Sequence, residues 1–382
     1  MFRRDGRGEP SSGLREEASG QGVGEGARAL SSSRARSAEA CPLRHRVWCE
    51  TVPYDDLLAP AVLALLRRYR LELLLAVRPW DLPRLGAVCA RLGDAGVYAA
   101  LWPMLSDEDG RWASARSRPR FVALVDQALA AAPAAPELVL DLEPAFEELQ
   151  RWKRWRPWWS ASRRAPGAAA AAEPGACDAK RRLYADDPGI HGSVRAASAD
   201  EPGAYDPACP VQVDEPDAYD ATRAAYAQAI ARWRRDERGR LRRVTTAVMP
   251  MLPFDTRGQW LQRVLGTPAD ELPVDRHSVM AYTSLFEGWS RGLVGRRRAE
   301  WLLRLCARRS HARWGARAGV SLGAVGTGAF GDEPVLRDPR ELARDVAIAR
   351  AAGIVEISLF ELGGVLRRRP AEAWLDALCG AT

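Results

Sequence analysis

Short apolar runs alternate along the chain with stretches in which apolar residues return every three or four positions. Residues 46–50, 71–77, 96–105, 138–143, 244–251, 277–282, 319–326 and 354–360 read as strands. Most are apolar on both faces, the pattern of a parallel sheet covered by helices. The spacing near 3.6 residues that marks amphipathic helices occupies 55–70, 119–132, 217–235, 257–265, 296–314, 338–352 and 370–378, and also a stretch ending at Leu92 that Asp81 is placed to cap. Strand then helix, repeated eight times, predicts a (β/α)8 TIM barrel, an α/β fold whose reactive groups gather at the carboxyl ends of the strands. A doubly wound open sheet is the alternative, but no Gly-rich phosphate turn follows the first strand.

The alternation breaks after the fourth strand. Residues 151–159 are basic and Trp-rich, 165–175 are Ala/Pro/Gly of low complexity, and 200–217 are acidic and Pro-rich. This composition predicts a long, partly disordered insertion over 151–216 within a barrel domain of residues 45–382. Residues 1–44, rich in Gly, Ser, Arg and Glu, predict a disordered tail and lack the apolar segment of a signal peptide.

Charge changes the picture less than its total suggests. The net charge is +7, but basic residues crowd 151–182, opposed there only by Glu173 and Asp178, while 183–220 is acidic apart from Arg195. The two halves can attract each other, so no nucleic-acid partner is expected. No apolar run of the length that spans a bilayer, about 18 residues, is present, and the default location is cytoplasmic. Seven cysteines (Cys41, Cys49, Cys89, Cys177, Cys209, Cys306, Cys379) form no CxxC pair and none lies at finger spacing from a histidine. Cys89, Cys306 and Cys379 fall on apolar helix faces and read as buried thiols, whereas Cys177 and Cys209 both lie in the insertion. The four histidines are scattered, and the Gly-rich 323–331 lacks the Lys-Ser/Thr of a P-loop and reads as a rim loop. No metal or other cofactor is expected.

Chemistry concentrates at the predicted strand ends, where Glu50, Arg78, Trp102, Asp141, Glu143, Met251, Tyr282 and Glu361 fall. The run Glu137-Leu138-Val139-Leu140-Asp141-Leu142-Glu143-Pro144 is the most informative. In a strand, residues two apart share a face, so Asp141 and Glu143 face one way with Cα atoms about 6.6 Å apart, and Leu140 and Leu142 pack on the other. Mutual repulsion in a low-dielectric mouth raises one carboxyl pKa and keeps that group protonated near neutrality, as a general acid requires. Glu143, nearer the strand terminus, is the better placed acid. An ion pair with Arg78 or another arginine is the structural alternative.

Leu138 to Pro144 resembles the end of the fourth-strand signature of chitinase-like family 18 glycoside hydrolases, in which alternating aspartates lead to a catalytic glutamate. Asp141 and Glu143 match the last Asp and the Glu, while Pro136 and Val139 stand where earlier aspartates are usual and Glu137 replaces a Gly. Met280-Ala281-Tyr282-Thr283 is similar to the family's sixth-strand Met-x-Tyr-Asp, with Thr283 in place of the Asp, and Phe360 stands where an eighth-strand Trp is usual. The resemblance implies a carbohydrate substrate, with N-acetylated sugars among the substrate classes, and a hydrolase in which Glu143 protonates the glycosidic oxygen. It further implies that Asp141 orients an acetamido group whose oxygen attacks, and that Tyr282 donates a hydrogen bond to that group. Residues 319–328 carry no carboxylate, so a protein nucleophile would have to be Glu361 or Glu50.

Glu50, Arg78, Trp102, Met280, Phe360 and Glu361 complete the candidate substrate-binding set. Trp102 and Trp80 either stack on sugar rings or pack against neighbouring elements. Trp152, Trp155, Trp158 and Trp159 suit a polysaccharide platform, an anionic-polymer contact or packing on the rim. A barrel that binds glycans or another protein without turnover is the competing function.

Overall fold

The computed structural model describes residues 43–154 and 216–380, less 237, 256–258 and 291–292. Nearly all of the predicted tail, and 155–215 of the predicted insertion with Cys177, Cys209 and three of its four clustered tryptophans, lie outside the described residues.

Eight parallel strands close into a barrel in sequence order: β1 (Arg44–Cys49), β2 (Glu72–Val77), β3 (Ala99–Pro103), β4 (Glu137–Leu142), β5 (Arg243–Val248), β6 (Arg276–Met280), β7 (Ala318–Gly323) and β8 (Glu356–Phe360). β8 pairs with β1 in the register Ser358 opposite Arg46, and no sheet edge remains. Helices follow the strands: α1 (Tyr54–Leu57) and α2 (Pro60–Arg68) after β1, α3 (Leu82–Asp94) after β2, α4 (Arg118–Ala131) after β3, and α5 (Phe146–Arg154) and α6 (Pro216–Trp233) after β4. α7 (Trp260–Leu265) follows β5, α8 (Thr283–Trp289) and α9 (Arg296–Trp314) follow β6, α10 (Pro339–Ala351) follows β7, and α11 (Leu362–Arg367) and α12 (Ala371–Cys379) follow β8. Among the described residues no helix is long and apolar enough to cross a membrane.

Strand alternation divides the apolar residues into two cores. Odd-numbered positions of β1, β2 and β3, such as Val47, Leu73, Leu75 and Leu101, join Leu138, Leu140 and Leu142 of β4 in the outer core against the helices. The opposite parity fills the lumen with Trp48, Leu74, Ala100, Trp102, Val139, Ala247, Met280 and Tyr282. Cys306 is buried in the outer core, and Cys89 and Cys379 pack partly buried against it, as their helix spacing predicts.

The amino-terminal end of the lumen is closed by charge. Arg46 is fully buried, and its guanidinium reaches Glu137 at 2.8 Å and Glu356 at 3.1 Å. Thr245 Oγ1 and Tyr98 Oη donate to Glu137 at 2.6 and 3.0 Å, and Arg44 donates to Glu356 at 2.7 Å. Buried ions are tolerated when each is paired and hydrogen-bonded. Among the described residues, these buried ion pairs fill the amino-terminal end of the lumen.

Asp81 does not cap α3. It accepts from the Arg78 backbone N–H at 2.9 Å and closes a single 3-10 turn, Pro79–Asp81, ahead of that helix. Pro83, in the first turn of α3, has no N–H and so leaves the cap one fewer donor to satisfy.

Candidate active site

Lumen parity carries β4 outward through Glu137, Val139 and Asp141 to Glu143 just past the strand end. Asp141 is 2% exposed and Glu143 is half-buried at the mouth. The end of β4 is held by neighbouring backbone: Asp141 lies opposite Ala247 of β5, and its carbonyl accepts from Ala113 N at 2.9 Å. That last bond ties the β3–α4 loop to β4 and sets Arg111 and Trp112 beside it.

Arg111 is the site residue that sequence reasoning missed. It follows Gly110, and both adopt left-handed backbone, with φ of 96° for Gly110 and 60° for Arg111. Glycine takes that conformation without cost, whereas a long side chain there is uncommon and marks a constrained position. The turn is pinned by Arg111 N to Ser106 O at 3.0 Å and Leu105 N to Arg111 O at 2.9 Å. It turns the guanidinium inward, where it donates to Glu50 Oε1 at 2.8 Å and lies over the Phe146 ring at 5.3 Å. The Asp109-Gly110 pair announces a turn in the sequence, but nothing there reveals which way the next side chain points.

Glu50 and Arg78 extend from β1 and β2 on lumen parity. Arg78 donates to Leu105 O at 2.7 Å and reaches Glu50 at 3.4 Å. On the far side the Gly-rich loop after β7 comes close: a Cβ on Gly328 would lie 3.0 Å from Glu50 Oε2 and 2.6 Å from the Phe360 ring. One reason for glycine in this rim loop is therefore close approach to the site.

Tyr282 faces the same space from β6. Its oxygen accepts from Ser321 Oγ at 3.2 Å, and Ser321 Oγ accepts from Trp48 Nε1 at 2.8 Å. Accepting from Ser321 leaves the phenolic O–H of Tyr282 available to donate elsewhere. Burial first, then the negative fields of Asp141, Glu143 and Glu50, holds that phenol well above its ordinary pKa. Phe360 packs 5.5 Å from the Tyr282 ring, and Met280 lies in the same lumen cluster. Trp102 is buried 4.6 Å from Trp48, forming floor instead of an open platform, whereas Trp80 is 57% exposed outside the lumen.

Glu361 does not join them. It is fully buried one position out of lumen parity and caps α11, accepting from Gly364 N at 2.7 Å and Gly363 N at 3.0 Å. Thr51 Oγ1 donates to both of its oxygens at 3.0 Å. Of the two candidate protein nucleophiles, only Glu50 reaches the mouth. Thr283 is likewise out of parity: its hydroxyl donates to Asp345 at 2.6 Å and accepts from Arg296 at 2.7 Å in the outer layer.

Electrostatics then separates the carboxyls by role. Burial pushes Glu143 up to about 8, with Glu50 adding to the rise and the Arg111 guanidinium opposing it. Asp141 is raised well above the ordinary carboxylate range by burial and then by Glu143 and Glu50. The two titrate as a unit that gives up its first proton reluctantly. Glu50, ion-paired with Arg111 and Arg78, is the anionic partner.

Several buried polar atoms here lack a hydrogen-bond partner: Trp102 Nε1, Asp141 Oδ1, and Nε and Nη1 of Arg111. Trp102 still favours the Asp141 charge through its nearby N–H, without good alignment, and Arg111 Nη1 lies 2.8 Å from Asp107 in the same way. Each unsatisfied buried group costs about 1–3 kcal/mol, a cost that a ligand or ordered water pairing with it removes. Among the described residues no three His, Cys, Asp or Glu side chains are arranged to hold a metal ion.

No protein-family model and no curated protein matches the sequence. Solved structures similar to the chain include the PgaB glycoside hydrolase domain from Bordetella bronchiseptica, at 12% identity and TM-score 0.46, covering 88% of this chain and 99% of that one. A chitinase from Rhizomucor miehei aligns at 12% identity and TM-score 0.41 over 89% and 100% of the two chains. The 3-keto-D-glucoside 4-epimerase YcjR from E. coli aligns at 11% and 0.41 over 88% and 98%.

Proposed function

We propose that this chain is a glycoside hydrolase-like barrel that cleaves a carbohydrate, with N-acetylated sugars as the leading substrate class. The observation that carries the reading is the convergence of Glu143, Asp141, Glu50 and Tyr282 at the carboxyl end of the barrel beside a set of unsatisfied polar atoms, where burial raises the Glu143 carboxyl to about 8. Glu143 donates its proton to the glycosidic oxygen as the bond from that oxygen to the anomeric carbon breaks. The carbonyl oxygen of a neighbouring acetamido group forms the new bond to that carbon, while Asp141 and the Tyr282 O–H hold the acetamido in place. Water then opens the cyclic intermediate, and the Glu143 carboxylate takes the proton from that water. Glu50 polarises the site from β1, and it is the protein carboxylate available if the substrate lacks an acetamido group.

The reading is tested with N-acetylglucosamine oligomers and aryl glycosides, comparing wild type with Glu143→Gln. Turnover lost in the variant, with oligomer binding retained, supports it. Equal turnover in both proteins sinks the role of Glu143, and saturable binding without turnover in either favours a non-catalytic glycan-binding barrel.

A further inference from the structure

α9 presents a face that the barrel does not use. Its Ala299, Leu303, Cys306, Ala307, Ser310 and Trp314 are buried, which leaves the opposite side to solvent. At 100° per residue, Arg297, Trp301, Arg304 and Arg308 fall within about 60° of arc and extend about 16 Å along the helix. All four are exposed, Trp301 by 55%. Arg297, Arg304 and Arg308 make no ion pair or hydrogen bond among the described residues, and the adjoining Arg309 is also exposed and free. The contrast lies in the same helix. Arg296, one residue earlier, is bonded to Glu300, Thr283 and Asp345, and Glu300 is further held by Arg344. The acid of this helix is thus neutralised inward, and the outward stripe is left uniformly cationic around one bare indole.

From this face we infer a docking surface for an anionic polysaccharide, one bearing carboxylate or sulfate groups along its length. Guanidinium forks match such oxyanions two bonds at a time, and an exposed indole stacks on the C–H face of a sugar ring. Placement favours a glycan over other polyanions. In a barrel the helices run back from the mouth, so the Arg297 end of the stripe lies at the rim where β6 opens, and the stripe leads down the flank from the candidate active site. This choice of glycan rests on the carbohydrate reading of the mouth, whereas the surface itself does not depend on catalysis.

The test is fluorescence anisotropy with labelled alginate and heparin oligosaccharides, read at rising salt with no cleavage step. Its failure is therefore distinct from failure of the Glu143 assignment. Wild type should bind, with affinity falling steeply as salt increases. Replacing the three stripe arginines together (Arg297→Glu, Arg304→Glu, Arg308→Glu) should weaken binding by about tenfold or more and flatten the salt slope by about 2. Trp301→Ala should weaken binding while leaving that slope unchanged. Circular dichroism confirms that the exposed substitutions leave the barrel folded. Binding unaffected by either change, or absent in wild type, overturns the inference. So does a single-stranded DNA of equal charge that binds more tightly than both glycans, which would make the stripe a nucleic-acid surface.

Discussion

Replacing Glu143 by Gln should stabilise the protein, and should do so only as the pH rises. A carboxyl held at about 8 in the folded chain, against an ordinary value of 4.5, binds its proton more tightly folded than unfolded. Its favourable share of the folding free energy is complete below pH 4.5 and is lost as pH rises through about 8. At 1.36 kcal/mol per pH unit, the folded state loses about 3 kcal/mol at neutral pH, where the unfolded chain ionises this carboxyl and the folded one keeps its proton, and up to roughly 5 kcal/mol above pH 8. Glutamine has the shape of the protonated acid and no titration, so the variant escapes this cost. Urea unfolding midpoints of the two proteins should coincide near pH 4 and diverge steadily toward pH 9, with the variant the more stable. A stability difference that does not change with pH would refute the burial argument and with it the protonated acid.

Other residues give separable outcomes. Arg111→Met removes the cation that opposes the rise of Glu143, so the alkaline limb of kcat/KM should move to higher pH, and Arg111→Lys should restore part of the shift. Glu361→Ala should cost about 1–2 kcal/mol in thermal unfolding through the lost cap of α11, with the pH dependence of kcat unchanged because Glu361 lies outside the mouth. Arg46→Met should destabilise by about 3–5 kcal/mol in urea unfolding, since it removes the buried cation that pairs with both Glu137 and Glu356.

Much of the fold is legible in the sequence because it depends on periodicity. The alternation of strand and helix gives the barrel, and residue parity in β4 places Asp141 and Glu143 together. Past the strand ends parity gives way to the next helix: Glu361 turns away to cap α11 and Thr283 opens α8 in the outer layer, so of these two pairs only Phe360 and Tyr282 join the site. What depends on contacts across the chain is hidden. Glu137 looks like a stray acid in an apolar run until Arg46, from β1, meets it at 2.8 Å. Arg111 looks like one more loop arginine until its left-handed backbone turns it onto Glu50. The orphaned atoms of Trp102, Asp141 and Arg111 have no counterpart in the sequence, since satisfaction of a polar group is a property of its neighbours.

General acid catalysis by Glu143 is tested most directly by varying the leaving group. A dinitrophenyl glycoside leaves without protonation, whereas an N-acetylglucosamine oligomer needs a proton on its departing oxygen. Hydrolysis of both substrates by wild type and Glu143→Gln is therefore the decisive measurement. In the first turnover, where only bond cleavage is read, the account predicts that the variant loses the oligomer reaction by about 100-fold or more and releases dinitrophenolate from the activated glycoside at most of the wild-type rate. An equal loss on both substrates, or none on either, would contradict it.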